Sequence, residues 1–182
     1  MKIDDYELFQ KNQETLKELS KDDNTKDINE YMVELENLAV DFDEVKRIYA
    51  NSYKTTEEML NSVDAIMNLK NHIFFIEFKN GKISSNTLQN NIKKKIYSSL
   101  LIFCDITNKN LNYIRENASF ILVYNKDKNE NSNSKKRIAN YVYQKANENF
   151  TLFGLEKYKN LFFKNIYTYS ENEFEDFIKK NT

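Results

Sequence analysis

The sequence predicts an α/β protein in which helices flank a mixed β-sheet and a helical segment precedes it. Three stretches carry that prediction. In residues 72–79 the side chains Ile73, Phe74, Phe75, Ile76 and Phe78 are apolar, so a strand there is buried on both faces. Residues 119–124 form a second run of this kind, from Phe120 through Val123 to Tyr124, and read as a central strand. Between the two, Leu88, Ile92, Ile96, Leu100 and Phe103 recur at spacings of three and four, which draws one apolar stripe along a helix over 87–103.

The other elements follow in chain order. Residues 4–20 open with acids, which favour a helix N-terminus, and carry Leu8, Phe9, Leu16 and Leu19, so an amphipathic helix is expected there. After a polar break at 20–25, a second helix is expected over 27–38, with Ile28, Tyr31, Met32, Leu35 and Leu38 on one face. Residues 42–50 extend it or form a third. Residues 53–60 read equally as a helical turn or as the approach to a strand. A hairpin comes next: 62–66 is its first strand, 68–71 its connection, and 72–79 its second strand, ended by Asn80-Gly81. Residues 125–137 contain no apolar side chain and are expected to form a mobile loop. A helix over 138–147, a strand over 161–169 and a closing helix over 171–180 complete the chain, with Ser170 and Glu173 as the capping box of the last helix. That order fits one α/β domain over 1–182: N-terminal helices in 1–50, a sheet core in 53–169 and a closing helix in 170–180.

At 182 residues, 40% hydrophobic and 30% charged, the chain holds enough apolar side chains for one substantial core. No apolar run reaches about 18 residues, so no membrane span is expected, and the polar, acidic start Met1-Lys2-Ile3-Asp4-Asp5 does not read as a signal peptide. The single cysteine, Cys104, lies in an apolar run and is expected to be a buried thiol. With no disulfide framework available, a reducing, cytoplasmic setting is expected. The net charge of −1 hides a segregation: residues 1–60 hold 8 Lys+Arg against 16 Asp+Glu, and residues 61–145 hold 14 against 6. The basic segment is the one with the hairpin, which suits a phosphate-bearing partner. Only three of the 27 basic residues are arginines (Arg47, Arg115 and Arg137), so contacts to phosphates are expected rather than bidentate readout of guanine edges.

The hairpin also gathers chemistry. Glu77 and Lys79 are two residues apart and point to one face of their strand, and Asp64 on the facing strand can complete a cluster with them. Two carboxylates and an ammonium suit phosphodiester hydrolysis with a hard divalent cation: the carboxylate oxygens hold the ion, and the ammonium orients the water or the scissile phosphate. Asp64, then Glu77-Phe78-Lys79 thirteen residues later, between buried strands and ahead of a helix, resembles the motif of the PD-(D/E)xK nuclease superfamily over roughly residues 60–125. Val63 stands where that motif has its Pro, and the chain contains no Pro.

The resemblance implies a restriction-endonuclease-like fold and a DNA endonuclease with Asp64, Glu77 and Lys79 as catalytic residues. It implies Mg²⁺ or Mn²⁺ held by Asp64 and Glu77, with a backbone carbonyl near Phe78 and waters completing the shell. It also implies that a helix ahead of the sheet sometimes donates a further metal-binding Glu, for which Glu34, Glu36 and Glu44 are the candidates. The helix after the E-x-K strand can add a polar residue to the site, and there Gln89, Lys93 and Lys95 are the positions available. Lys93, Lys94 and Lys95 are in addition a candidate nucleic-acid contact.

Other chemistries lack their residues. His72 is the only histidine and starts a strand, which leaves no Ser-His-Asp or Cys-His arrangement in view and too few ligands for zinc. Two glycines, Gly81 and Gly154, make no phosphate-cradling loop. The alternative to an enzyme is a binding module: the same fold as an inhibitor, immunity or accessory protein, docking a basic protein partner through its acidic N-terminal helices.

Overall fold

In the computed structural model, which describes residues 1–22, 30–56, 59–83, 86–129 and 151–182, the doubly apolar run is the fourth of six strands. These are β1 (Gln13–Thr15), β2 (Leu38–Asp41), β3 (Ala65–Leu69), β4 (His72–Lys79), β5 (Ala118–Tyr124) and β6 (Asn165–Ser170), adjacent in space in the same order. β1 to β4 pair antiparallel, whereas β5 and β6 add parallel to β4. The sheet is open and mixed, with helices around it, as the sequence predicts, and β4 is the strand where its sense changes.

β3 and β4 turn through Lys70 and Asn71, both at positive φ (48° and 66°). That is the backbone a two-residue hairpin needs to follow the strand twist. The turn fixes a register that pairs Leu69 with His72 and Ala65 with Ile76. Asp64, one residue before Ala65, and Glu77, one residue after Ile76, lie just beyond these paired residues.

Alternation along β4 divides its side chains between two cores. Ile73 and Phe75 face α3 (Phe42–Ser52) and α4 (Asn86–Thr107), where Phe42, Val45, Ile92, Ile96 and Phe103 are buried. Phe75 sits at the centre of this layer, edge-on to Phe42, Phe103 and Phe163 at centroid distances of 6.4, 5.2 and 5.3 Å. On the other face Phe74, Ile76 and Phe78 pack beneath Leu16, Met32, Leu35 and two residues of the closing helix, Phe174 and Ile178. That helix runs Glu171–Asn181, and both halves of its Ser170–Glu173 capping box form.

The N-terminal part corrects the expectation of helices across 1–50. Residues 4–20 break into a 3₁₀ turn (Ile3–Asp5), α1 (Glu7–Gln10), strand β1 and α2 (Leu16–Leu19). The expected stripe has no apolar residue between Phe9 and Leu16, so a continuous helix there would bury nothing over two turns. The chain instead places Gln13 to Thr15 against Val40 to Leu38 as an edge pair. Residues 30–37 are not helical either: Met32, Val33 and Leu35 are buried from an irregular segment that leads into β2. Residues 27–29 lie outside the described part, as does the expected helix over 138–147. Within 4–20 only the two short stretches α1 and α2 are helical, and 42–50 is helical throughout as expected, within α3.

Smaller differences follow downstream. The expected strand over 161–169 begins at Asn165, and a short helix before β5, α5 (Leu111–Asn117), was not expected. A helical turn, α6 (Lys126–Asn129), opens the stretch expected to be loop. Residues 130–137 of that stretch lie outside the described part. Cys104 is half-buried against the first core rather than fully enclosed. Among the described residues no helix is long and apolar enough to cross a membrane.

The packing gives a contrast for mutagenesis. Phe75→Ala empties the centre of the first core and is expected to lower the unfolding free energy by about 3–5 kcal/mol in urea titrations. Leu101→Ala, on the 57% exposed outer side of α4, is expected to change it by less than about 0.5 kcal/mol.

Candidate active site

Three segments converge at the C-terminal end of β4. The first is the bend ahead of β3, which carries Asp64. Its backbone is tied on both sides: the Phe42 N–H donates to the Asp64 carbonyl at 3.1 Å, and the Val63 N–H donates to the buried Ser99 Oγ of α4 at 2.9 Å. The second is β4 itself, which buries the Glu77 side chain completely and leaves that of Lys79 23% exposed. The third is α4, whose stripe Ile92, Ile96 and Phe103 turns Lys95 toward the sheet.

The contacts form a closed set. Asp64 Oδ2 accepts the Phe78 N–H at 2.6 Å. Lys95 Nζ donates to Asp64 Oδ1 at 2.8 Å and to Glu77 Oε2 at 2.9 Å, so those two oxygens are separated by no more than the sum of these contacts. Lys79 Nζ lies 2.7 Å from Glu77 Oε1. That approach is an ion pair, so each oxygen of the buried Glu77 carboxylate faces a lysine ammonium. Two carboxylates and two ammonium groups leave the quartet formally neutral.

Burial dominates the electrostatics. It raises the Glu77 carboxyl, with the Asp64 charge acting in the same sense, and the two lysines do not offset them; the pKa is pushed up to about 7. Burial also works against the charge of Lys95, but there the Glu77 and Asp64 carboxylates prevail and hold the ammonium above the usual lysine value. Lys95 therefore keeps its proton, and Glu77 is the member whose charge is least secure.

A cleft of about 640 Å³ opens beside the quartet, with Asp64 and Lys79 in its wall together with Asp41, Asp43 and Asn80. Asp41 caps α3 by accepting the Glu44 N–H at 3.0 Å. Its carboxyl is raised by burial and by the neighbouring Asp43 and Glu44. Asp43 accepts from the Ser62 hydroxyl and pairs with Lys46 at 3.1 Å. Five acids against two lysines line this cleft, so an anionic substrate entering it needs additional positive charge.

The predicted trio Asp64, Glu77 and Lys79 is thus brought together, although Asp64 precedes its strand instead of lying in it. The lysine run separates, because successive helical residues are turned by about 100°. Lys95 faces the carboxylates, Lys94 is exposed, and Lys93 donates to Asn90 at 3.1 Å. Of the candidate glutamates, Glu44 pairs with Arg47 and Glu34 with Lys17, while Glu36 is exposed and also lies outside the site's contacts. The side chain of Gln89 lies outside the described part. Asp41 and Asp43 were not anticipated. Their signal was an Asp immediately ahead of the helical stripe Phe42, Val45 and Tyr49, an N-cap position that also marks the end of a strand.

Among the described residues no three His, Cys, Asp or Glu side chains form a group arranged for a metal ion. The Asp64–Glu77 pair nevertheless suits a hard cation that keeps most of its waters and takes only one or two carboxylates. Both carboxylates already share one cation, the Lys95 ammonium. Compared with known proteins, the chain matches no family model, no curated sequence and no solved structure.

The Glu77 shift has a sign that can be measured. A carboxyl raised from 4.5 to about 7 contributes stability that is fully present below pH 4.5 and lost as pH rises through 7. In EDTA, the unfolding free energy of Glu77→Gln minus that of wild type is expected to rise by about 3 kcal/mol between pH 4.5 and 8. A difference that falls over the same interval would mean that the lysines, not burial, govern Glu77.

Proposed function

We propose that this chain is a Mg²⁺- or Mn²⁺-dependent phosphodiesterase acting on DNA as an endonuclease, with a restriction-endonuclease-like core of the PD-(D/E)xK type. One observation carries the reading: Asp64, Glu77 and Lys79, separated by up to fifteen residues, meet at one end of β4, where Asp64 and Lys79 line a cleft and Glu77 is buried behind them. The topology supports it, since a hairpin that carries the E-x-K run and directly follows the acid leads through α4 and α5 to a strand parallel with β4. In this reading Asp64 and Glu77 hold the cation. The cation supplies a water of lowered pKa and charge to offset the phosphate. Lys79, the partly exposed member, donates to the attacking water or to a non-bridging phosphate oxygen and stabilises the charge that develops there. Asp64 is kept in position by the Phe78 N–H and Glu77 by the walls of the first core.

A second reading is favoured by a different observation, the neutrality of the quartet. Two lysines already satisfy the two carboxylates, as they do in a structural ion-pair network. The chain is then a non-catalytic binding module. The acidic partner surface assigned to N-terminal helices would in that case lie on the β1–β2 edge and the cleft, where Glu18, Asp22, Asp41 and Asp43 are found.

Nicking of supercoiled plasmid separates the two. The enzyme reading expects cleavage that needs millimolar Mg²⁺ and falls at least about 100-fold in Asp64→Asn and in Glu77→Gln, and a wild-type melting midpoint that rises with Mg²⁺. No cleavage and no Mg²⁺-dependent rise in the midpoint would remove the enzyme reading and leave the binding module.

A further inference from the structure

Lys95 occupies the place where a bound cation is needed. Its ammonium donates to Asp64 Oδ1 at 2.8 Å and to Glu77 Oε2 at 2.9 Å, the carboxylates that the proposed site offers to a divalent ion. An ammonium and a hard metal ion between the same two carboxylates compete for the same lone pairs and the same space. With Lys79 also on Glu77, the charge of the carboxylate pair is fully offset while Lys95 is seated. The attraction of the pair for a further cation is cancelled to the same extent.

The surroundings allow Lys95 to leave without dismantling the site. Its side chain retains 20% exposure. Asp43 also acts on the ammonium and lies in the cleft wall, so a third acid is within the reach of its field. Both carboxylates also have anchors that do not pass through Lys95. Ser99 holds the backbone at Val63, the Phe78 N–H holds Asp64, and the apolar core encloses Glu77.

We propose that Lys95 is a positioning residue acting as a resident counter-cation: it holds Asp64 and Glu77 together in the metal-free protein, and a divalent cation loads by displacing its ammonium from between them. The proposal rests on the metal-dependent reading above and adds a competition that this reading does not itself require.

Calorimetric titration of the full chain with Mn²⁺ tests it, comparing wild type with Lys95→Met, which keeps an apolar stem and removes the charge. If the site is available only in the fraction of molecules with Lys95 withdrawn, the apparent wild-type affinity is reduced by that fraction, and Lys95→Met binds Mn²⁺ about tenfold or more tightly than wild type. Equal or weaker binding by Lys95→Met, with wild type still binding, overturns the displacement and leaves the metal reading standing. Binding by neither protein, both being folded by circular dichroism, overturns the metal reading and the displacement together. Should Lys95→Met fail to fold, NMR of the lysine ammonium groups in wild type decides the matter. The Lys95 signal is expected to leave its ion-paired position on Mg²⁺ saturation, and an unmoved Lys95 signal beside a shifted Glu77 carboxyl signal overturns the proposal.

Discussion

A carboxylate enclosed completely at the end of an interior strand must be neutralised from within the protein, and Glu77 imposes that condition on everything around it. Water cannot reach it, so the charge has to be met by side chains or given up to a proton. Lys79 answers from the same strand face two residues on, and Lys95 from α4 across the sheet. Asp64 adds a second negative charge that makes the condition harder to satisfy. A fold selected for stability alone would be served as well by apolar residues of similar volume, because buried ion pairs seldom repay their desolvation. Retaining two carboxylates beside each other is the feature that calls for a functional explanation.

The architecture supplies the rigidity that such a cluster needs. β4 is antiparallel to β3 on one side and parallel to β5 on the other, and its apolar neighbours on both faces fix its length and register. The Lys70–Asn71 turn sets which residue opposes which, and a slip of one position would carry Glu77 and Lys79 into the second core. α4 then acts as a two-point clamp on the segment before β3, through Ser99 to Val63 and Lys95 to Asp64. Stability of the sheet and geometry of the site are therefore set by the same few contacts.

How much of this was legible in the sequence depends on how local each signal is. The doubly apolar pattern of β4 and β5, the α4 stripe and the Ser170–Glu173 box are local, and they appear as expected. The meeting of Asp64 with Glu77 needs only a hairpin register. Lys95 was visible as one of three polar candidates flanking the α4 stripe, but its partners depend on how α4 crosses the sheet, which periodicity does not determine. β1 and β2, at three and four residues, are too short to show alternation against the helical spacing of their apolar neighbours; β2 adds to the edge of β3 and β1 to the edge of β2. Asp41 and Asp43 were hidden for that reason, since the β2–α3 junction that delivers them to the cleft lay inside a stretch read as helical.

The acidic cleft and the neutral quartet both turn on whether a divalent cation takes the place that Lys95 holds. Crystals grown without metal and soaked in Mn²⁺ address this directly through the anomalous signal of the ion. One Mn²⁺ peak bonded to both Asp64 and Glu77 is expected, with the Lys95 ammonium withdrawn from between them. Absence of Mn²⁺ from this pair at saturating concentration, with Lys95 still hydrogen-bonded to both carboxylates, would contradict it.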